Sequence, residues 1–106
     1  MTKLLVISDV HSNVTALEAV LKDAEHYGPY DAHLCAGDIV GYGPQPNEVV
    51  EELRKRNFIC VLGNHDRALA KEGKSVIAEA RTALKLNLKE LTPENRTYIS
   101  SLSPLP

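Results

Sequence analysis

No apolar run in this 106-residue chain approaches the ~18 residues a membrane-spanning helix requires. Only Leu4, Leu5, Val6 and Ile7 follow the first three residues as consecutive apolar positions, too few for a signal-peptide core. Cysteine is scarce: Cys35 and Cys60 both lie in apolar stretches, on neighbouring predicted strands, at a spacing that matches no zinc motif. Two buried free thiols in a cytoplasmic protein are the expectation. A net charge of −2 supplies no broad basic surface, so nucleic acid is not expected as a partner. Internal repeats, low-complexity tracts and linkers are absent as well. What is present, 43% hydrophobic and 25% charged residues, is the composition of an ordinary globular protein. One small domain over residues 1–106 is expected, long enough to bury roughly 65% of its unfolded surface.

Hydrophobic periodicity divides the chain into alternating elements. Lys3 to Ser8 is a short aliphatic run, read as a strand buried on both faces. Asn13 to Tyr27 switches to helical spacing, with Val14, Leu17, Val20, Leu21 and Ala24 on one face, Asn13 as cap and Gly28-Pro29 as stop. Ala32 to Ala36 reads as a second strand. A second helix follows, capped by Asn47, with Glu48, Glu51 and Glu52 early and Arg54, Lys55 and Arg56 late, an order that complements the helix dipole. Phe58 to Leu62 is the third strand. The remainder reads as helical. A short helix follows Asp66 and ends near Gly73. Ser75 caps another with Val76, Ile77, Ala80, Leu84 and Leu88 on one stripe. Thr92-Pro93-Glu94 opens a last one carrying Tyr98, Ile99 and Leu102. The fold class is therefore α/β: a three-stranded parallel β-α-β-α-β sheet with right-handed crossovers and extra C-terminal helices.

Three polar segments sit at the ends of the three strands: Ser8-Asp9-Val10-His11, Gly37-Asp38-Ile39-Val40-Gly41 and Gly63-Asn64-His65-Asp66. Parallel sheets gather their ligands at such carboxyl ends. Asp9 and His11 are two apart; if the backbone stays extended, both face the same way and can grip one cation. Asp38 between Gly37 and Ile39 offers two oxygens, enough to bridge a pair of cations. Asn64 offers a neutral oxygen, and His65 beside it points elsewhere, with Asp66 placed to orient the imidazole and raise its pKa. Each segment alone also reads as a polar turn that caps the next helix. The three turn readings fail jointly, because independent turns would not gather at one sheet rim. His26 and His33 read as surface and packing residues. Tyr42 stands near the rim as a packing tyrosine or a stacking platform, Arg67 as a solvated helix start or a phosphate contact, and Lys85 and Lys89 as an exposed face.

These segments resemble the calcineurin-like metallophosphoesterases through Asp9-x-His11, Gly37-Asp38-x-x-Gly41 and Gly63-Asn64-His65-Asp66. The resemblance extends to about residue 103, and Gly41-Tyr42-Gly43-Pro44-x-Pro46-Asn47-Glu48 resembles the small prokaryotic phosphodiesterases and phosphatases. Protein serine/threonine phosphatases carry Asp-Arg in the second motif, where this chain has Gly41-Tyr42. The resemblance implies two divalent ions: manganese foremost, with iron, zinc, nickel or cobalt accepted by the same donors. It implies that Asp9 and His11 bind the first ion, that Asp38 bridges, and that Asn64 binds the second and touches phosphate. His65 would be the general acid with Asp66 as its partner. The implied reaction is in-line attack of hydroxide on a small phosphomonoester or phosphodiester.

Members of that family draw further histidines from a second half, whereas the histidines here are 11, 26, 33 and 65. The chain is accordingly expected to be the N-terminal half of an αββα sandwich. Its three strands leave a small sheet with open edges. Pairing with a missing C-terminal half, or with a second copy, is the expected partnership. The alternative is a non-catalytic interaction module of the same fold.

Overall fold

The computed structural model describes residues 2–70 and 78–103. Strand β1 (Leu4–Ile7) leads into helix α1 (Val14–Ala24) and a single 3₁₀ turn (Glu25–Tyr27). Strand β2 (Ala32–Cys35), helix α2 (Pro46–Lys55) and strand β3 (Ile59–Cys60) follow. Helices α3 (Asn64–Ala70), α4 (Ala78–Glu90) and α5 (Pro93–Ser100) complete the described chain. The sheet is parallel with order β1-β2-β3, pairing Val6 with Leu34, Leu34 with Ile59 and Cys35 with Cys60. The β-α-β-α-β reading holds. The expected cap at Ser75 and the helix end near Gly73 lie outside the described residues.

Local chemistry explains most boundaries. Asn13 caps α1, its side-chain oxygen accepting from Ala16 N at 3.0 Å. Thr92 does the same for α5 through Asn95 N at 3.2 Å, with Pro93 in the first turn. Asn47 does not cap α2: the helix starts at Pro46 with Gln45 at the cap position. Proline already has the φ of a first helical turn, which leaves Asn47 inside the helix and its amide free for tertiary work. That amide donates to Glu90 O at 2.8 Å and accepts from Thr92 N and Asn95 Nδ2, both at 2.9 Å, tying α2 to the α4–α5 junction.

One core contains Leu17, Leu21, Cys35, Val49, Val50, Leu53, Leu69, Leu84 and Ile99, with Leu5, Ile7 and Cys60 packed against it. The alternating residues of the sheet are bare: Leu4 is 48% exposed, Val6 59% and Ile59 53%. The expectation that the first strand is buried on both faces is therefore corrected, since side chains alternate across a strand and the described helices cover one side. The bare side carries an apolar trough of about 190 Å³ lined by Val6, Leu34, Ala36, Ile59 and Val61. Ile59→Lys is expected to leave stability within about 0.5 kcal/mol of the parent, as surface changes do, while lowering self-association. Urea denaturation with light scattering checks both; a loss of stability above ~2 kcal/mol would mean that this face is covered in the isolated chain.

Candidate metal centre at the strand ends

Beyond the strands the three connecting loops stay laced together. Asp9 N donates to Gly37 O at 3.0 Å, His11 N to Asp38 O at 3.0 Å and Ser12 N to Ile39 O at 2.8 Å, so the first loop runs beside the second. Asp38 Oδ1 accepts from His65 N at 2.9 Å, which joins the second loop to the third. Asp9 and His11 converge without the extended backbone on which their two-residue spacing would put both side chains on one side. Both have left-handed backbones, with φ of 59° and 48°, as do Ser12, Asp38 and Tyr42. Such geometry costs of order 1 kcal/mol per non-glycine residue and persists only where the surroundings impose it. Here the cross-loop amide bonds impose it.

Ligand atoms of Asp9, His11 and Asp38 all lie within 4.8 Å of one another. His11 Nδ1 lies 3.1 Å from Val40 O, so that nitrogen donates there and Nε2 is the ring atom left for a ligand. That Nε2 is 3.5 Å from Asp9 Oδ1. A hydrogen bond from Ser8, foremost, holds the exposed Asp9 carboxyl below its ordinary range. Two carboxylates and an imidazole nitrogen facing a common point are a donor set for a divalent cation, and these residues fit one. Asn64 is exposed at the start of α3, between Gly63 and His65, which both touch Asp38.

His65 joins a cluster of rings. Its centroid is 4.7 Å from that of His11 and 4.9 Å from that of Tyr42, and Tyr42 is 5.3 Å from His11. Its Nδ1 is buried without a hydrogen-bond partner and packs on Gly41, where an added Cβ would lie only 2.4 Å away. Glycine at 41 is thus a requirement of the imidazole's position as well as of its own φ of 96°.

Asp66 departs from the expected role of partner to His65. It is fully buried, one oxygen accepting from Ile39 N at 2.8 Å and Val40 N at 3.0 Å, the other from Gly63 N at 3.0 Å. An α-helix sends successive side chains about 100° apart, so Asp66 and His65 leave α3 in different directions. Burial pushes the Asp66 carboxyl above its ordinary range, opposed by the three amides. It is a brace between the second and third loops.

Among the remaining candidates, Tyr42 is 53% exposed over the cleft, and Arg67, Lys85 and Lys89 are exposed. His33 Nδ1 meets Arg56 O at 3.1 Å and its ring packs near Phe58, a packing role as expected; His26 is exposed. The cleft beside Asp9 and His11 has a volume of about 600 Å³ and an apolar wall of Val6, Leu17 and Val20. Asn87, on α4, escaped the periodicity reading. Its polarity inside the Leu84–Leu88 apolar stripe was the available signal.

A parallel sheet whose carboxyl ends gather carboxylate and imidazole donors that could hold a metal ion defines the class: an α/β protein with a candidate metal centre. Residues 2–100 match the calcineurin-like phosphoesterase family, and the chain belongs to it. An uncharacterised protein of Methanocaldococcus jannaschii is 43% identical over 99 residues, covering 92% of this chain and 40% of its own. The crystal structure of a metallophosphoesterase from Sphaerobacter thermophilus superposes with a TM-score of 0.76 at 44% identity, over 95% of this chain and 41% of that one. A candidate diadenosine tetraphosphatase superposes with a TM-score of 0.72 at 26% identity, over 96% and 48%. The chain spans less than half the length of these relatives. No described helix is long and apolar enough to cross a membrane.

Proposed function

We propose that this chain supplies the larger part of a dinuclear phosphoesterase site and acts on small phosphomonoesters or phosphodiesters, with manganese the foremost ion. The observation that carries this reading is the convergence of Asp9, His11 and Asp38 within 4.8 Å. Asp9 and His11 would hold one ion, Asp38 would bridge, and Asn64 would reach the second. Bound divalent ions neutralise phosphoryl charge and lower the pKa of water. His65 has its Nδ1 sealed against Gly41, so any proton it passes to a leaving oxygen leaves from Nε2. Further ligands come from chain beyond these residues, in keeping with the 40–48% of its relatives' length that this chain spans. The bare sheet face with Val6 and Ile59 is where we place that remainder. The two free cysteines fit a reducing compartment, and the cytoplasm is the proposed location.

Titration calorimetry with Mn²⁺ tests the reading. The chain is expected to bind one ion, and Asp38→Asn to weaken binding at least ~10-fold, the loss of a charged ligand being worth more than 1.4 kcal/mol. Equal affinity in the two proteins would overturn the assignment. Turnover of p-nitrophenyl phosphate or its bis ester by the monomer is expected to be near background, and brisk hydrolysis would contradict the split site.

A further inference from the structure

We infer that Asn87 is a positioning residue for the metal centre, acting through the two loops that aim His11 and His65. It is 2% exposed in the middle of α4, and its amide reaches partners in two distant loops. Oδ1 accepts from Ser12 Oγ and from Gly41 N, the latter at 2.8 Å; Nδ2 donates to Gly43 O at 2.8 Å. Ser12 follows His11, and Gly41 and Gly43 flank Tyr42. One buried amide therefore grips both sides of the tyrosine loop and the end of the metal-ligand turn.

The gripped segments need holding. His11, Ser12, Gly41 and Tyr42 all have left-handed backbones. The loops also touch each other, Gly43 N donating to His11 O at 2.9 Å and Gln45 N to Ser12 O at 2.9 Å. Val40, next to Gly41, carries the carbonyl that orients the His11 ring, and Gly41 is the surface on which His65 rests. A shift of the Gly41–Gly43 loop thus moves both imidazoles.

Asparagine is the side chain that meets these demands. Aspartate would set an anionic oxygen against Gly43 O. Leucine, of similar size, would strand the Ser12 hydroxyl, the Gly41 amide and the Gly43 carbonyl.

The inference rests on the cation-binding reading above, so Co²⁺ binding to the whole chain is the test, read by affinity and by the visible spectrum that reports ligand geometry. Asn87→Leu and Asn87→Asp are expected to lower affinity at least ~10-fold and to alter the spectrum. Leu84→Ala, a buried substitution on the same helix, is expected to lower stability and leave the spectrum unchanged, which separates positioning from general destabilisation. Should Asn87→Leu fail to fold, Asn87→Ser carries the same readout. Parental affinity and spectrum in a folded Asn87 variant overturn the inference and leave the metal site standing. Failure of the parent chain to bind Co²⁺ overturns both.

Discussion

Gly63→Ala is expected to collapse the metal centre and destabilise the chain by about 3 kcal/mol, the upper end of overpacking costs. A Cβ on Gly63 would lie 2.2 Å from Asp38 N, 2.5 Å from Asp38 Oδ1 and 2.9 Å from Asp38 Cγ. Two of those atoms are the carboxylate proposed to bridge the ions, and the third is backbone that cannot rotate away. Asp38 cannot retreat freely, because Asp38 O is bonded to His11 N and its Oδ1 to His65 N. The methyl group therefore pushes the second loop off the first and third. For a domain of this size the thermal midpoint should fall by roughly 15 °C. Mn²⁺ binding should become undetectable by calorimetry in the protein that remains folded. Retention of both properties would mean that the loops at residues 38 and 63 do not meet as closely as described.

Asp66→Ala carries the second large effect, expected at about 3–5 kcal/mol and read from the denaturant midpoint. Removing the carboxylate leaves the buried amides of Ile39, Val40 and Gly63 without acceptors, and each such orphan costs about 1 kcal/mol or more. That is a large share of the 5–15 kcal/mol typical of a domain. Asp66→Asn should fall between, because its oxygen still serves Ile39 and Val40 while its NH₂ opposes the Gly63 amide. Were Asp66 instead the partner of His65, Asp66→Asn would spare stability. The bracing geometry predicts the reverse.

Much of the architecture was legible in one dimension. Aliphatic runs ending in Ser8, Ala36 and Leu62, separated by helical spacing, lead to three parallel strands because crossovers of that length admit little else. The same logic brings Asp9, His11 and Asp38 together. The details that failed share one cause. Asn47, Asp66 and Asn87 are polar residues on helices, and a helix offers its side chains to partners far along the chain. Asn87 bonds Ser12 across 75 positions and Gly41 across 46, distances over which periodicity carries no information. The extended backbone supposed for Asp9-x-His11 gives way for a related reason: aspartate and histidine tolerate the left-handed region, but neighbouring loops decide which of them adopt it.

Residue order alone determined the strand succession, the donor types and the rim on which they meet, because hydrophobic alternation and crossover length are local properties. Which carboxylates cluster at the rim and which braces a loop, and which face of the sheet stands bare, were decided only in three dimensions. Those outcomes depend on the direction of each side chain and on what packs against it, and both are set by contacts between segments distant in the chain.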